Sequence, residues 1–205
     1  MVIGVDFDNT IICYDQLFHQ VAVQQGLIPP EVPVTKSAVR DYLRQQGKED
    51  AWIELQGCAY GARVQEASPF PGVREFFARC KREGVAVHLI SHKTRYPFQG
   101  PVYDLHDAAH RWLTSRGFYD PHEGGLVPNH VCFELTKQDK LDRISSVGCE
   151  YFIDDLPEFL AEPRFPPHVQ RILFDPNDQY GSERRFLRVT SWGEVEGVLF
   201  KSVTP

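Results

Sequence analysis

The residues best suited to chemistry stand at the end of the first apolar segment of the chain. Residues 2–7 are predicted to form a buried strand, and this strand runs into the sequence Asp6-Phe7-Asp8-Asn9-Thr10. Side chains alternate along an extended chain, so Asp6 and Asp8 are expected on the same side. Two carboxylates this close raise each other's pKa unless a cation or a shared proton lies between them. The pair therefore indicates a metal site, although the last three residues of the run are also typical of a plain strand-to-helix turn.

Length, charge and cysteine content narrow the class of protein. The chain has 205 residues, which suits one domain with an insertion. Its net charge is −6, and its basic residues at 184–188 have acidic and apolar neighbours, so no nucleic-acid partner is expected. The five cysteines are scattered without a Cys-x-x-Cys pair, which favours a reducing compartment over disulfides or a zinc site. With no basic leader and no apolar run of the ~20 residues that a membrane helix needs, we expect a cytoplasmic protein and no membrane partner.

The spacing of apolar residues predicts the elements that must position the acidic pair. Strands are predicted at 2–7, 85–90, 130–133, 150–153 and 171–174. Helices are predicted at 15–26, 36–44, 49–66, 73–82, 104–117, 137–147 and 191–200. Strands that alternate with helices favour a parallel sheet covered on both faces, with ligands outside the carboxyl ends of the strands. No strand signal interrupts residues 13–67, which we interpret as a helical insertion after the first strand.

Polar residues follow three of the predicted strands. Asp6 and Asp8 end the first strand, Ser91 and His92 follow the second, and the pair Asp154-Asp155 follows the fourth. The carboxyl ends of parallel strands meet at one edge of the sheet, where open α/β sheets bind their ligands. The three polar endings are therefore expected to build one site.

In this order the motifs resemble those of the haloacid dehalogenase (HAD) superfamily, specifically its phosphatase branch. The four motifs match as Asp6-Phe7-Asp8-Asn9-Thr10, Ser91, Lys137 and Asp154-Asp155. The resemblance implies a Rossmann-like, three-layer α/β core made of residues 1–12 and 69–205. It also implies a small all-helical cap, residues 13–68, inserted after the first motif.

Two features depart from the usual pattern of that superfamily. The fourth motif has adjacent acids, followed by Glu158, instead of a Gly-Asp pair. Lys140 is a rival for the third-motif lysine. Lys137 is preferred because of its spacing to Leu141 and Ile144, and Lys140 is interpreted as part of a solvated helix face.

The residue types predict Mg²⁺-dependent hydrolysis of a small phosphorylated metabolite. A carboxylate that attacks an anionic phosphate needs a divalent cation and fixed donors to neutralise the transferring group. Asp6 is the predicted nucleophile, which forms an aspartyl-phosphate, and Asp8 is the predicted general acid and base. Mg²⁺ prefers a few carboxylates and keeps several waters, so Asp6, Asp154 and Asp155 are its predicted ligands. The resemblance adds the backbone carbonyl of Asp8.

Further residues are predicted to hold the phosphate and the rest of the substrate. Lys137 would offset phosphate charge, and Ser91 would donate a hydrogen bond beside His92. The hydroxyl of Thr10 either orients Asp8 or finishes the turn.

The third cap helix offers a further predicted contact. Arg63 lies three residues after Tyr60 and so shares its helix face, and Gly57 and Gly61 would let a ligand approach that face closely. Arg63 is predicted to bind the substrate beyond its phosphate. In the alternative interpretation, Arg63 pairs with Glu66 and Tyr60 packs between helices.

Other functions on the same fold agree less well with these residues. A dehalogenase releases a halide that needs no proton, so the presence of Asp8 counts against it. A phosphomutase must protect its phospho-enzyme from water, and no residue pattern indicates such protection. A non-catalytic phosphate-binding module would be marked by the loss of Asp6 or Asp8, and both are present. The fold does not fix the substrate or the oligomeric state.

Overall fold

A computed structural model describes residues 1–200, and the chain divides into two compact units. The first unit contains Met1–Ile11, Pro69–His92 and the residues from Gly117 onward, and the second contains Ile12–Ser68 and Lys93–Arg116. This division differs from the one expected from the sequence in residues 93–116, which pack with the helical insertion. The buried indole of Trp112 shows why, because its Nε1 donates a hydrogen bond to the carbonyl of Ala67 at 2.9 Å.

The first unit is built around a parallel six-stranded sheet. The strands of the chain are β1 (Val2–Val5), β2 (Ile12–Cys13), β3 (Ser68–Pro69), β4 (Ala86–His92), β5 (Val131–Glu134), β6 (Tyr151–Asp154), β7 (Gln170–Phe174) and β8 (Leu187–Val189). The sheet has the order β5-β4-β1-β6-β7-β8, and every neighbouring pair is parallel. The strand that carries the acidic pair therefore lies between β4 and β6, inside the sheet. The short strands β2 and β3 form a separate two-stranded sheet.

Helices cover both faces of the large sheet. The helices of the chain are α1 (Asp15–Gln24), α2 (Lys36–Gln45), α3 (Glu49–Tyr60), α4 (Val73–Arg82), α5 (Leu105–Ser115), α6 (Lys137–Ser146), α7 (Pro157–Leu160) and α8 (Trp192–Leu199). Leu173 of β7 belongs to an apolar cluster with residues of α6 and α7, while its neighbour Phe174 packs against Trp192 of α8 at 5.6 Å between ring centroids. Successive side chains of a strand point to opposite faces. The first unit is therefore a three-layer, Rossmann-like α/β fold, as predicted.

The second unit contains α1, α2, α3 and α5. Its interior is aromatic: Phe18 of α1 lies 5.1 Å from Trp52 and 5.5 Å from Tyr60 of α3, measured between ring centroids. Asp104 caps α5 by accepting a hydrogen bond from the N–H of Asp107 at 3.0 Å. Side-chain caps of this kind satisfy backbone donors that the helix leaves unpaired.

Some elements differ from the sequence prediction. Helix α3 ends at Tyr60 instead of continuing to 66, because the backbone leaves the helical region at Gly61 (φ −104°, ψ −88°) and a short 3₁₀ turn follows at Val64–Glu66. Strand β8 and helix α7 were not predicted, since three or four residues carry too little periodicity to be recognised. Among the described residues, no helix is both long enough and apolar enough to cross a membrane.

Candidate active site

The carboxyl ends of β1 and β6 bring two buried aspartates together. The N–H of Asp6 donates to the carbonyl of Ile153 at 2.9 Å, which places Asp6 beside Asp154 at the end of β6. The side chains are almost inaccessible, with relative exposures of 5% for Asp6 and 0% for Asp154. Burying two carboxylates side by side is unfavourable unless a cation lies between them.

Lys140 is the cation between these carboxylates. Its Nζ lies 2.6 Å from Oδ1 of Asp6 and 2.6 Å from Oδ2 of Asp154, and its side chain is 4% exposed. The same ammonium lies over the ring of Phe159 at 4.0 Å and over that of Phe152 at 5.3 Å from the centroid. Aromatic faces attract cations. The lysine is thus enclosed by two carboxylates and two aromatic rings.

The choice of Lys137 for this position is wrong. Its side chain is half exposed, and its Nζ lies 4.0 Å from Glu162. The reason is helix geometry: Lys137 is the first residue of α6, after the cap Thr136, and side chains of a helix lean toward its N-terminus. The surface over the first turn is therefore covered by a residue one turn further in, which is Lys140. The interpretation of Lys140 as a solvated residue is wrong for the same reason.

Burial and neighbouring charges shift the pKa values of Asp6 and Lys140. The pKa of Asp6 is raised to about 7. Burial is the largest cause, Lys140 opposes it, and the charges of Asp154 and Asp8 act in the same direction as burial. Burial alone would lower the pKa of Lys140, but the two carboxylates outweigh burial, so its pKa is raised and it stays protonated. Asp6 is therefore an acid whose ionised form needs more positive charge than one lysine supplies.

The carboxylates fit a divalent metal ion. Asp6, Asp154 and Asp155 each offer one oxygen, and these three oxygens lie within 4.8 Å of one another. Hard carboxylate oxygens are the protein ligands that Mg²⁺ prefers. Lys140 offsets one of the three negative charges, so a divalent cation would offset the other two. The donor set and its charge both suit Mg²⁺, and the prediction that these three aspartates bind it stays a prediction.

The turn after β1 fixes the second acid of the first motif. The N–H of Ile11 donates to the carbonyl of Phe7 at 3.0 Å, and Asn9 has a φ of 58°, a left-handed conformation that asparagine tolerates. Asp8 is half buried, two residues beyond Asp6. The structure therefore keeps Asp8 close to Asp6, at the end of the strand.

Thr10 completes this turn through its backbone. Its side chain is fully buried, and its carbonyl accepts a hydrogen bond from Nε1 of Trp192 at 3.1 Å. Among the described residues, no group bonds to its hydroxyl. Neither predicted role of the hydroxyl, orienting Asp8 or closing the turn, is seen.

Strand β4 contributes the second motif. Val5, the last residue of β1, pairs with Leu89 of β4, so Ser91 and His92 follow Leu89 as Phe7 and Asp8 follow Val5. Ser91 is buried. His92 is exposed, and its Nε2 lies 3.2 Å from the carbonyl of Leu135. Although the residue is exposed, its ring is partly buried, and this partial burial lowers the pKa of His92 and favours a neutral imidazole.

Arg63 of the second unit has partners other than a ligand. Its guanidinium pairs with the carboxylate of Glu66, and its Nη1 lies 3.2 Å from Oε1 of Gln24. This is the alternative that the sequence left open. The prediction of Arg63 as a substrate residue therefore has no support from its contacts.

Gly57 of α3 and Gly61, which follows the helix, also serve packing. A Cβ on Gly57 would come within 2.9 Å of Pro97, and one on Gly61 within 2.6 Å of Tyr103. The expectation that they leave room for a ligand is wrong, because the segment after β4 fills that room.

The fold of this chain is similar to that of known proteins, although its sequence is not. No model of a protein family and no curated protein matches the sequence. A HAD-family hydrolase from Deinococcus radiodurans R1, solved with bound phosphate and sodium, is 16% identical with a TM-score of 0.61, over 98% of this chain and 95% of that chain. A HAD-superfamily hydrolase from Ehrlichia chaffeensis is 13% identical with a TM-score of 0.56, over 99% of this chain and 97% of that one.

A third structure, a putative HAD hydrolase from Bacillus subtilis bound to magnesium, is 11% identical with a TM-score of 0.53, over 97% of this chain and 98% of that one. These likenesses extend over nearly the whole length of each chain. The chain has the fold of the HAD-superfamily hydrolases, as its motifs predicted.

Proposed function

We propose that this chain is a HAD-superfamily hydrolase that cleaves a small phosphomonoester with the help of Mg²⁺. The observation that carries the proposal is the buried group of Asp6, Lys140 and Asp154, with Asp155 beside it. Buried charges are unfavourable for stability, so three carboxylates at one end of a sheet favour a chemical role over a structural one.

Two structural neighbours were solved with ligands of the kind that this proposal names. The Deinococcus protein was solved with phosphate and the Bacillus protein with magnesium. At their low identity the likeness extends to the fold alone. The argument for phosphate and Mg²⁺ therefore rests on the donor set of this chain.

The proposed reaction has two displacement steps at phosphorus. A carboxylate oxygen of Asp6 attacks the phosphorus, the bond to the ester oxygen breaks, and Asp8 gives its proton to the departing alkoxide. The phosphoryl group is then held on Asp6. Asp8, now a carboxylate, takes a proton from a water that attacks the phosphorus, and the bond to Asp6 breaks to release inorganic phosphate.

The other residues prepare Asp6 for attack. Lys140 holds one oxygen of Asp6 at 2.6 Å and so fixes the orientation of the carboxylate. Asp154 is held in turn, because its Oδ1 accepts from the N–H of Leu156 at 2.9 Å and its Oδ2 from Lys140. Preorganised groups of this kind need no rearrangement during the reaction. Mg²⁺, when bound by Asp6, Asp154 and Asp155, would supply positive charge that offsets the charge of the transferring phosphoryl group.

The proton requirement favours a phosphatase over a dehalogenase. An alkoxide is a poor leaving group unless it is protonated, whereas a halide leaves without a proton. Asp8, held two residues beyond the nucleophile, is the acid that only the first reaction needs.

Hydrolysis of p-nitrophenyl phosphate tests the proposal. We expect activity that requires Mg²⁺, is lost with EDTA and is lost in Asp6→Asn. Asp142→Asn is the matched control, because Asp142 is an exposed aspartate of α6 that accepts a hydrogen bond from Gln138. Activity that persists in both EDTA and Asp6→Asn, in protein freed of contaminating phosphatases, would overturn the proposal.

A further inference from the structure

The ammonium of Lys140 lies over the face of an aromatic ring. Its Nζ is 4.0 Å from the ring centroid of Phe159 and 5.3 Å from that of Phe152. Two of its three N–H donors serve the carboxylates of Asp6 and Asp154, each at 2.6 Å. The electron-rich face of Phe159 is the next partner for its charge, because aromatic faces attract cations.

Phe159 is held firmly in place. It is 2% exposed, and its ring lies 5.8 Å from that of Phe165 and 6.1 Å from that of Phe152 between centroids. Its N–H donates to the carbonyl of Leu156 at 3.1 Å, and the N–H of Leu156 donates to Oδ1 of Asp154 at 2.9 Å. Ring packing and these hydrogen bonds fix Phe159 relative to one of the acids that share Lys140.

The sheet leaves space for the second ring. Gly4 of β1 pairs with Phe152 of β6, and a Cβ on Gly4 would overlap the Phe152 side chain. A larger residue at position 4 would displace this ring from its place beside Phe159 and Lys140. The absence of a side chain at Gly4 therefore helps to place aromatic rings around the ammonium.

The ring of Phe159 is a partner of Lys140 that the proposed reaction leaves unchanged. When an oxygen of Asp6 bonds to phosphorus, its carboxylate becomes part of an acyl phosphate and no longer carries its own charge. The attraction between Asp6 and the ammonium then weakens, whereas the attraction of the ring does not depend on the state of Asp6. Such a constant partner restrains a lysine side chain, which is otherwise flexible.

From these contacts we propose that Phe159 is a positioning residue, whose ring face holds the ammonium of Lys140 between Asp6 and Asp154 during turnover. This inference rests on the proposed phosphatase function and extends it to an apolar residue of α7. It differs from a role in packing alone, which needs the volume of the ring and not the negative potential of its face.

Fluorination of the ring tests the inference, because fluorine withdraws electrons from the ring face and nearly keeps the shape of the ring. Phenylalanine with one fluorine, and phenylalanine with three, is incorporated at position 159 alone. We expect kcat for p-nitrophenyl phosphate, with Mg²⁺ present, to fall in that order, by at least about fivefold with three fluorines. KM should change by less than about twofold. The variant with one fluorine keeps the test decisive if circular dichroism shows that three fluorines disturb folding.

Phe165 is the matched control. It belongs to the same apolar cluster as Phe159, but the cation over its ring is Arg171, 4.7 Å from the centroid. Three fluorines at position 165 should leave kcat within about twofold of wild type. The comparison separates the attraction for Lys140 from the general packing of the cluster.

The outcomes separate the two proposals. If kcat is the same for the three rings at position 159, if fluorination changes KM alone, or if positions 159 and 165 show equal losses, this inference is overturned while the phosphatase function stands. If the wild-type protein hydrolyses no phosphomonoester with Mg²⁺ present, the proposed function falls and this inference falls with it.

Discussion

Three buried aspartates lie at the carboxyl ends of strands of the same sheet, and one of them has different partners from the other two. Asp6 and Asp154, at the ends of β1 and β6, share the ammonium of Lys140. Asp175, directly after β7, is 3% exposed. It accepts backbone hydrogen bonds from Gln179 at 2.8 Å and from residue 180 at 2.9 Å, and its Oδ2 lies 3.0 Å from Nη1 of Arg188.

The difference separates an aspartate that fixes a turn from the two aspartates that we propose take part in the reaction. Both oxygens of Asp175 are held by donors of the loop and strand that follow it, so it fixes a turn. Asp6 and Asp154 share one lysine, and one oxygen of each lies within 4.8 Å of one oxygen of Asp155. A position at the carboxyl end of a strand brings an acid to the edge where ligands bind, but its partners decide what the acid does.

The largest expected effect is on activity at Asp6. Asp6→Asn should lower kcat for an aryl phosphate by at least on the order of 10³-fold, because an amide does not attack phosphorus. The fold should persist, since Lys140 keeps Asp154 as a partner. Circular dichroism checks the fold, and a rate within a factor of about ten of wild type would place the nucleophile elsewhere.

The next largest effect is expected on stability, when each of the two lysines of α6 is substituted in turn. Lys140→Met leaves Asp6 and Asp154 facing each other without a cation, so the free energy of unfolding should fall by about 3–5 kcal/mol. Lys137→Met removes an exposed charge and should change it by less than about 1 kcal/mol. Urea denaturation measures both. Equal effects of the two substitutions would contradict the assignment of Lys140.

Substitution of Asp175 should lower stability and leave activity nearly unchanged, which is the opposite of the result expected for Asp6. Asp175→Asn weakens the bonds to two backbone amides and Arg188, and we expect a loss of about 1–3 kcal/mol in the free energy of unfolding. The rate per folded molecule, measured well below the melting temperature, should stay within about twofold of wild type. A loss of turnover without a loss of stability would show that this aspartate, too, takes part in the reaction.

A smaller effect, on stability, is expected from the protonation of His88. The rings of His88 and His130 stack at 3.9 Å between centroids, and burial, then His130, then Arg143 lower the pKa of His88. The unfolded chain therefore binds a proton more readily, and stability should fall as the pH drops below the ordinary value of 6.5.

Thermal unfolding between about pH 5 and pH 8 measures this loss, and His88→Phe should reduce it by up to about 1 kcal/mol. The phenylalanine keeps the ring but does not titrate. An unchanged pH dependence in the variant would assign the effect to other groups.

Much of the fold and part of the site could be predicted from the sequence. Apolar runs and polar strand endings are local signals. They predicted the strand that runs into Asp6 and Asp8, the Asp154-Asp155 pair and the helical insertion at 13–67. The choice between Lys137 and Lys140 depends on the direction in which side chains leave a helix end, and burial by Phe152 and Phe159 is a tertiary contact. The packing of 93–116 with the insertion likewise depends on contacts such as that of Trp112 with Ala67.

The covalent intermediate tests the central claim most directly. Asp8→Asn lacks the base for the second step but should still be phosphorylated by an aryl phosphate, whose leaving group needs little protonation. After acid quenching with Mg²⁺ present, peptide mapping by mass spectrometry should find one phosphoryl group on Asp6, and hydroxylamine should remove it. A phosphoryl group on another residue, or none on Asp6 while the substrate is being consumed, would contradict the account.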